Sequence, residues 1–569
     1  MKRLWILLWM CLITGLSAAG QSEKSLTQNK SAELYLDVTA PNSTALELLL
    51  HNFVVDNVTY NTQNQNFTVR VWLPRKQFAN FDTLHLSYSI VSVNETQYTV
   101  TLASSYPEMV ANWDKYPTYN TYLALMDSFQ KKYPQWCSVE TVLNATPGNH
   151  KILIAHLGVQ HEQQQNRPSF LYSSTMHGDE VAGFYLLLRL IHHLLTNAAT
   201  NPQVQNILNN IDLWILPLIN PDGTYHTHNN IIGTSPISTR SNHNGEDINR
   251  SFPQLSSLIA GSSSGSYEPE VQAMMNFFNT HHFVMSANLH GGTELFNYPW
   301  DNYTTTQRPH PDHNWFYYVG RNFANTCHAQ NNSYFTGENN GVTEGGDWYV
   351  ITGSQQDWAN YAAHCKEVSI EVNNNKVVKN NNLNPLWNYT HQAFLDYIEE
   401  ALNGLRGIIT DSLTDTPLAA QVFIQNHDAD HSEVYSALPA GNYHRPVKGG
   451  NYTVHYSAAG YYTKTCTTAV TDGATTVKNV KLTPISQAIP NSQTAICRIY
   501  PNPASDYINI ETEKNNLTAE IRDIAGKLLN TVQLQNAKKF NIQNYATGIY
   551  FIQIKENGNA IEIRKIIKN

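Results

Sequence analysis

His177 and Glu180 stand three positions apart in a segment, Phe170 to Gly183, where one apolar run gives way to another of different period. An imidazole nitrogen and a carboxylate oxygen at that spacing suit a divalent ion such as zinc, which would polarise water or a carbonyl. A surface His beside a helix-capping Glu is the plain alternative, and a chain with 23 His holds such pairs by chance. The elements around the pair set its position. Phe170 to Thr175 reads as a buried strand, and after Glu180 the residues Phe184, Leu187, Leu188, Leu190, Ile191, Leu194 and Leu195 recur at helical spacing. The pair then falls at a strand's carboxyl end, the edge where open α/β sheets bind ligands.

Length and charge bound the rest. A chain of 569 residues with 41% hydrophobic content has room for several soluble domains. Its net charge of -9, with 36 scattered Lys and Arg, gives no basic footprint, so no nucleic-acid partner is expected. Lys2 and Arg3, the apolar run Leu4 to Leu16 and the small residues Ser17 to Gly20 form a secretory signal over residues 1–20. The run is too short for a membrane anchor, so an exported protein without a transmembrane segment is expected. Beyond Cys11 in that run, Cys137, Cys327, Cys365, Cys466 and Cys497 are an odd, sparse set. They allow one or two disulfides, a Cys327–Cys365 pair among the options, but no disulfide scaffold.

The chain divides by pattern. Residues 21–107 alternate apolar and polar, as in Phe67, Val69, Val71 and Leu73, and predict a small β-sandwich. From Tyr119 the period becomes helical through Tyr122, Leu123, Met126 and Phe129. Strands then alternate with helices (Ile152–Val159, Phe170–Thr175, Ile211–Ile219, Phe283–Leu289, Glu367–Val372) until a helix over Trp387–Leu402. Residues 108–403 are therefore expected to form an α/β domain, a mixed sheet with helices on both faces. Residues 404–483 return to a β pattern of a length that suits a seven-stranded sandwich. A Pro, Ser, Gln and Asn-rich linker follows over 484–496, then a last short-stranded β module over 497–569. The fold class expected is multidomain, a central α/β domain flanked by all-β sandwich modules.

Further blocks follow in order: Asn220 to Gly223, Thr239 to Asn242, Gly245 to Pro253, Ser286 to Gly292, Tyr298 to Asp301, Trp348 to Tyr349, Gly353 to Trp358 and Ile370 to Val372. With His177 and Glu180, these resemble the zinc carboxypeptidases of the M14 family over residues 113 to 403, and the stretch after His290 resembles the family's regulatory branch. The resemblance implies His177, Glu180 and His290 as the ligands of one zinc ion, and such sites keep a further position for water. It implies Glu371 as the general base and Arg240 as the group that holds the oxyanion. Asn249 and Arg250 would bind the substrate's terminal carboxylate, for which a guanidinium fork is well shaped. Tyr349, twenty-two residues before Glu371, is preferred over Tyr361 as the mobile hydroxyl donor. Asp301 and Gln356 would line the side-chain pocket and favour C-terminal Lys or Arg.

Other residues are assigned plainer roles. Asp222 reads as a turn residue, and His192, His193, His281 and His282 as surface or helix-end residues. Asp212 and Asp247 are candidates to orient a ligand or an arginine. Asp179, just before Glu180, departs from the Asn or Arg of well-known relatives, which leaves contacts to the penultimate substrate residues open.

Residues 404–483 resemble the transthyretin-like sandwich that follows the catalytic domain in this branch, with Gly441 to Arg445 as its signature. Residues 497–569 are similar to the C-terminal sorting domain of the type IX secretion system of Bacteroidota, which implies the export machinery as a partner and a location outside the cell or at its surface. The function expected is a secreted zinc metallocarboxypeptidase acting on peptide and protein C-termini. The alternatives are an inactive peptide-binding or surface-binding relative, a cell-wall peptide peptidase of the same fold, and an adhesin whose β modules do the work.

Overall fold

Alternation of apolar and polar residues builds the N-terminal sheet, and a capped leucine run interrupts it. The computed structural model describes residues 33–74, 77–91, 98–158, 166–262, 265–485, 496–524, 526–535 and 537–569. The expected signal at 1–20 and most of the 484–496 linker lie outside the described residues. The chain divides into two units, 1–482 and 483–569.

The first module runs β1 (Glu33–Ala40), α1 (Ser43–Asn52), β2 (Val54–Asn61), β3 (Asn66–Pro74), α2 (Phe78–Asp82) and β4 (Ser87–Ile90). Its strands form one antiparallel sheet in the order β2-β3-β1-β4. A β-sandwich was expected here, and the structure corrects it to a single sheet with two helices. The physical reason is Asn42, whose side chain accepts from the Ala45 amide at 2.9 Å and starts a helix through the leucines that follow. Leu34, Leu36, Val38, Ala40, Val69, Val71 and Leu73 turn to one side and share a core with Leu49 and Phe81 of the helices.

The central domain holds an eight-stranded mixed sheet. Its strands are β5 (Cys137–Leu143), β6 (Ile152–Leu157), β7 (Ser169–Ser174), β8 (Asp212–Leu216), β9 (Met285–His290), β10 (Glu294–Tyr298), β11 (Val342–Glu344) and β12 (Lys366–Val372). The spatial order is β11-β10-β12-β9-β7-β8-β6-β5, in which β8, β7, β9 and β12 run parallel. Central strands are buried on both faces, so they read as continuous apolar runs. Phe170, Tyr172, Leu213 and Ile215 face a core shared with α3 (Tyr119–Lys132), α4 (Ala182–Asn197), α6 (His313–Gln330) and α7 (Asn380–Glu399). Leu171, Trp214 and Leu216 face the opposite core, with α5 (Pro269–His281). Helices thus cover both faces.

Residues 404–482 form two four-stranded sheets around Leu405, Val422, Tyr443, Val454 and Tyr456, one strand more than the expected seven. Arg445 of this module is fully buried. It sits 2.9 Å from Asp312, which begins α6, and 2.5 Å from Asp428, while Lys366 at the start of β12 lies 2.7 Å from Asp312. Against the effect of burial, Arg445 holds the Asp428 carboxyl down at about 2. Ion pairs this deep tolerate no missing partner, so they fix the module against the domain. The five cysteines from Cys137 onward are all free thiols. Cys327 and Cys365 lie in separate cores on the two sides of the sheet, which excludes the pair allowed by the sequence. The second unit packs a three-stranded and a four-stranded sheet around Ile508, Ile510, Ile521, Ile552 and Ile554.

Candidate metal and catalytic site

The carboxyl ends of β7, β9 and β12 bring the candidate residues together. His290 is the last residue of β9 and is the register partner of Glu371 on β12. On the other side β9 pairs with β7, and the chain leaving β7 turns at Thr175 with φ of 57°, a strained setting for a β-branched residue. The turn is held by the Thr175 amide on Leu289 O, the Asn220 amide on Thr175 O, and the Thr175 hydroxyl on Glu180 O. His177 and Glu180 emerge from it. Gly178 packs directly on the backbone of Gly223, where a Cβ would stand 2.5 Å from the Gly223 Cα, so the Asn220 to Gly223 turn acts as a buttress for the ligand loop.

Three atoms then face one point. Glu180 Oε2 lies 3.0 Å from His177 Nδ1 and 3.0 Å from His290 Nδ1, and the two imidazole nitrogens are 3.2 Å apart. All three residues are buried. Tetrahedral zinc with bonds of about 2.0–2.1 Å separates its ligand atoms by roughly 3.3 Å. The donor set therefore fits zinc in atom type and spacing. His177 Nε2 lies 3.1 Å from Asp247 Oδ1, which fixes the ring and leaves Nδ1 as the lone-pair nitrogen. Against burial, His177 and Lys376 hold the Glu180 carboxyl well below the usual carboxylate range.

Around this point lies a cavity of about 200 Å³. Nine of the ten sequence-derived site residues line it: His177, Glu180, Arg240, Asn249, Arg250, His290, Asp301, Tyr349 and Glu371. Gln356 was expected to line it too; it lies instead behind Asp301, donating from Nε2 to Asp301 Oδ1 at 2.9 Å. Burial, with the Glu180 carboxylate adding to it, pushes the Glu371 carboxyl up to about 7, and Glu371 Oε2 has no hydrogen-bond partner among the described residues. Such a group can accept and return a proton near neutral pH. Arg240 donates from Nε to Asp247 Oδ2 at 2.9 Å, and its Nη1 is 3.5 Å from Glu180 Oε1. Asp247 thus braces both His177 and Arg240. Asn249 Oδ1 accepts from the Gln355 amide at 3.0 Å, which turns its NH2 group elsewhere.

The other candidates separate by location. Asp212 opens β8 at the opposite edge of the sheet and pairs with His156 at 2.6 Å, so it orients nothing here. Asp222 accepts from Thr146 at 2.7 Å and from the Gly148 amide at 2.9 Å, as a structural turn residue does. Tyr361 stacks on His431 at 4.3 Å, away from the cavity that Tyr349 lines.

Three participants were not singled out from sequence. Lys376 lines the cavity with Nζ 3.3 Å from Asp179 and 3.4 Å from Glu180, and Asp179 therefore engages a lysine. Asn297 lines the pocket beside Asp301. Trp72, from the N-terminal module, lies over Arg240. The Lys376 and Trp72 contacts join segments far apart in the chain and no local motif marks them, whereas Asn297 lies only four residues before Asp301, next to the Tyr298 to Asp301 block.

Comparison with known proteins agrees with this geometry. Residues 122–393 match the family described as zinc carboxypeptidase, and residues 498–569 match the secretion system C-terminal sorting domain. Carboxypeptidase SOL1 of Arabidopsis thaliana is 32% identical over 317 residues, which is 54% of this chain and 60% of that protein. Carboxypeptidase D of Homo sapiens is 30% identical over 312 residues, 52% of this chain and 22% of that protein. The carboxypeptidase N catalytic chain of Rattus norvegicus is 28% identical over 345 residues, 55% of this chain and 74% of that protein. The chain thus spans well under two thirds of carboxypeptidase D. Residues 122–393 belong to the zinc carboxypeptidase family, in a chain that carries a secretion-system sorting domain at residues 498–569.

Proposed function

We propose that this chain is an exported zinc-dependent carboxypeptidase that removes C-terminal Lys or Arg from peptides and proteins. The observation that carries the proposal is the register of β9 on β12, which sets the proton-accepting Glu371 directly beside the His290 of the ligand set. Zinc held by His177, Glu180 and His290 would supply Lewis acidity toward water and the scissile carbonyl.

The chain's own residues account for the rest. Glu371 accepts the proton of the attacking water at a carboxylate oxygen and returns it to the leaving amine. Arg240, oriented by Asp247, presents its guanidinium charge to the oxyanion. Arg250 and the Asn249 amide take the terminal carboxylate, which makes the enzyme an exopeptidase. Tyr349 closes over the substrate as a hydroxyl donor. Asp301 is a buried carboxylate braced by Gln356 and Asn297, and it favours a cationic side chain. The N-terminal run of residues 1–20 and the sorting domain serve export, and residues 404–483, resembling a transthyretin-like sandwich, serve as scaffold.

The test is release of the last residue from matched peptides ending in Lys, Arg, Phe or D-Ala, with chelator and with zinc restored. Chelator-sensitive release of Lys and Arg is expected. Release of Phe alone would refute the role of Asp301, release of D-Ala would favour a cell-wall peptidase, and zinc binding without release would favour a peptide-binding protein.

A further inference from the structure

Asp301 does not stand alone on the pocket wall. Its Oδ1 accepts from Gln356 Nε2 at 2.9 Å and from Asn297 Nδ2 at 3.3 Å. Those bonds set the Asn297 amide, since the flipped amide would press oxygen on oxygen. Asn297 Oδ1 is consequently a buried acceptor, and it has no donor among the described residues. Asn297 is 7% exposed and lines the same cavity as Asp301. Both oxygens also abut Gly345, where a Cβ would stand 2.0 Å from Asp301 Oδ1 and 2.9 Å from Asn297 Oδ1. The two acceptors therefore converge, and any side chain at position 345 would displace them.

We infer that this wall selects a guanidinium over an ammonium, with Asn297 as the discriminating residue, so that the enzyme releases C-terminal Arg in preference to Lys. The inference rests on the reading that Asp301 meets the substrate's terminal side chain. A carboxylate alone attracts either cation. A second, neutral acceptor beside it changes the geometry that is rewarded. Guanidinium carries five N–H donors in a rigid plane and can reach two oxygens at once, whereas an ammonium is a compact point charge with three donors on a flexible stem. Ser369, whose hydroxyl can also accept, lines the cavity as well, so the wall is rich in acceptors and suits the donor-rich ligand. A buried acceptor left without a donor is costly, so the ligand that reaches it gains most.

The experiment measures kcat/KM for matched peptides ending in Arg, Lys and Phe, on the full-length zinc-loaded protein and on Asn297→Leu. The native protein should favour Arg over Lys by about tenfold or more, the worth of one hydrogen bond to a charged group. In Asn297→Leu that ratio should fall toward one, through loss of Arg release, with Asp301 keeping both basic peptides ahead of Phe. Free arginine and free lysine as product inhibitors of the native protein give the same comparison without a variant, and arginine should inhibit at the lower concentration. Equal or better use of Lys by the native protein, or an unchanged ratio in a folded Asn297→Leu, overturns the inference and leaves the basic preference standing. Preference for Phe over both overturns the reading on which it rests.

Discussion

The indole of Trp72 lies over the guanidinium of Arg240, 5.6 Å from ring centroid to guanidinium carbon. Trp72 is the register partner of Tyr35, on the side of the N-terminal sheet away from that module's own core, yet it is only 1% exposed. The catalytic domain is what buries it. If Arg240 holds the scissile carbonyl, which belongs to the penultimate residue, the upstream peptide must leave the site past this indole.

Replacing the indole should therefore favour longer substrates. In Trp72→Ala, kcat/KM for a blocked pentapeptide should rise relative to a blocked dipeptide. The expected gain is about 2- to 30-fold, the range of a cation–π contact of about 0.5–2 kcal/mol. An equal change for both lengths would mean that Trp72 only orients Arg240.

Asp301 faces the opposite demand, since a buried charge is selective only while its partner is present. Asp301→Ala should cut kcat/KM for Lys and Arg peptides by about thirtyfold or more, as truncating one side of a buried charge pair costs about 2–5 kcal/mol. A Leu peptide should gain or stay level. Parallel losses for all three peptides would point to misfolding of the turn that holds Asp301.

Glu367 gives a pH signature independent of the metal. It is fully buried on β12 beside Ser286, with Gln355 donating at 2.6 Å, and burial pushes its carboxyl up from 4.5 to about 7. The folded state thus keeps a proton that the unfolded state releases, so this group's contribution to stability falls as pH rises from 4.5 to about 7 and is constant above that. Glu367→Gln should gain stability relative to the native protein across that window, reaching at most about 3 kcal/mol. Urea titrations at pH 5 and pH 8 measure it, and a larger benefit at pH 5 would be the wrong sign.

Arg445→Met tests the tie between the sandwich at 404–482 and the catalytic domain. It strands Asp312 and Asp428 in the interior, where Lys366 still pairs with Asp312 and the His427 ring touches both. A loss of about 3–5 kcal/mol is expected in chemical denaturation, as for other broken buried pairs. A loss under 1 kcal/mol would mean the pair is not buried in solution.

The legible parts of the molecule are those written locally. The apolar run before His177 and the helical spacing after it put the pair at a strand's carboxyl end, where β7 delivers it. Register is different. That His290 should lie opposite Glu371 follows from strand pairing across 81 residues, which periodicity does not encode, and only the resemblance to a family grouped them. Asp212 shows a local signal overlooked, because it opens its strand and so had to fall at the other sheet edge. The sandwich expected over residues 21–107 left no place for α1, although Asn42 stands as an N-cap before the run that forms it. Lys376 and Trp72 act through contacts between distant segments and look ordinary in their own neighbourhoods, whereas Asn297, four residues before Asp301, carried a local signal that the sequence reading passed over.

The central claim, that Glu371 moves the proton at a zinc site built from His177, Glu180 and His290, is tested most directly by Glu371→Gln. Metal content and single-turnover release of a C-terminal Arg would be measured on the native and variant proteins side by side. Both proteins should hold about one zinc per chain, and the rate should fall by roughly 10²–10⁴ in the variant. A variant that binds zinc and keeps more than about a tenth of the native rate, where a working general base should be worth at least 10², would contradict it.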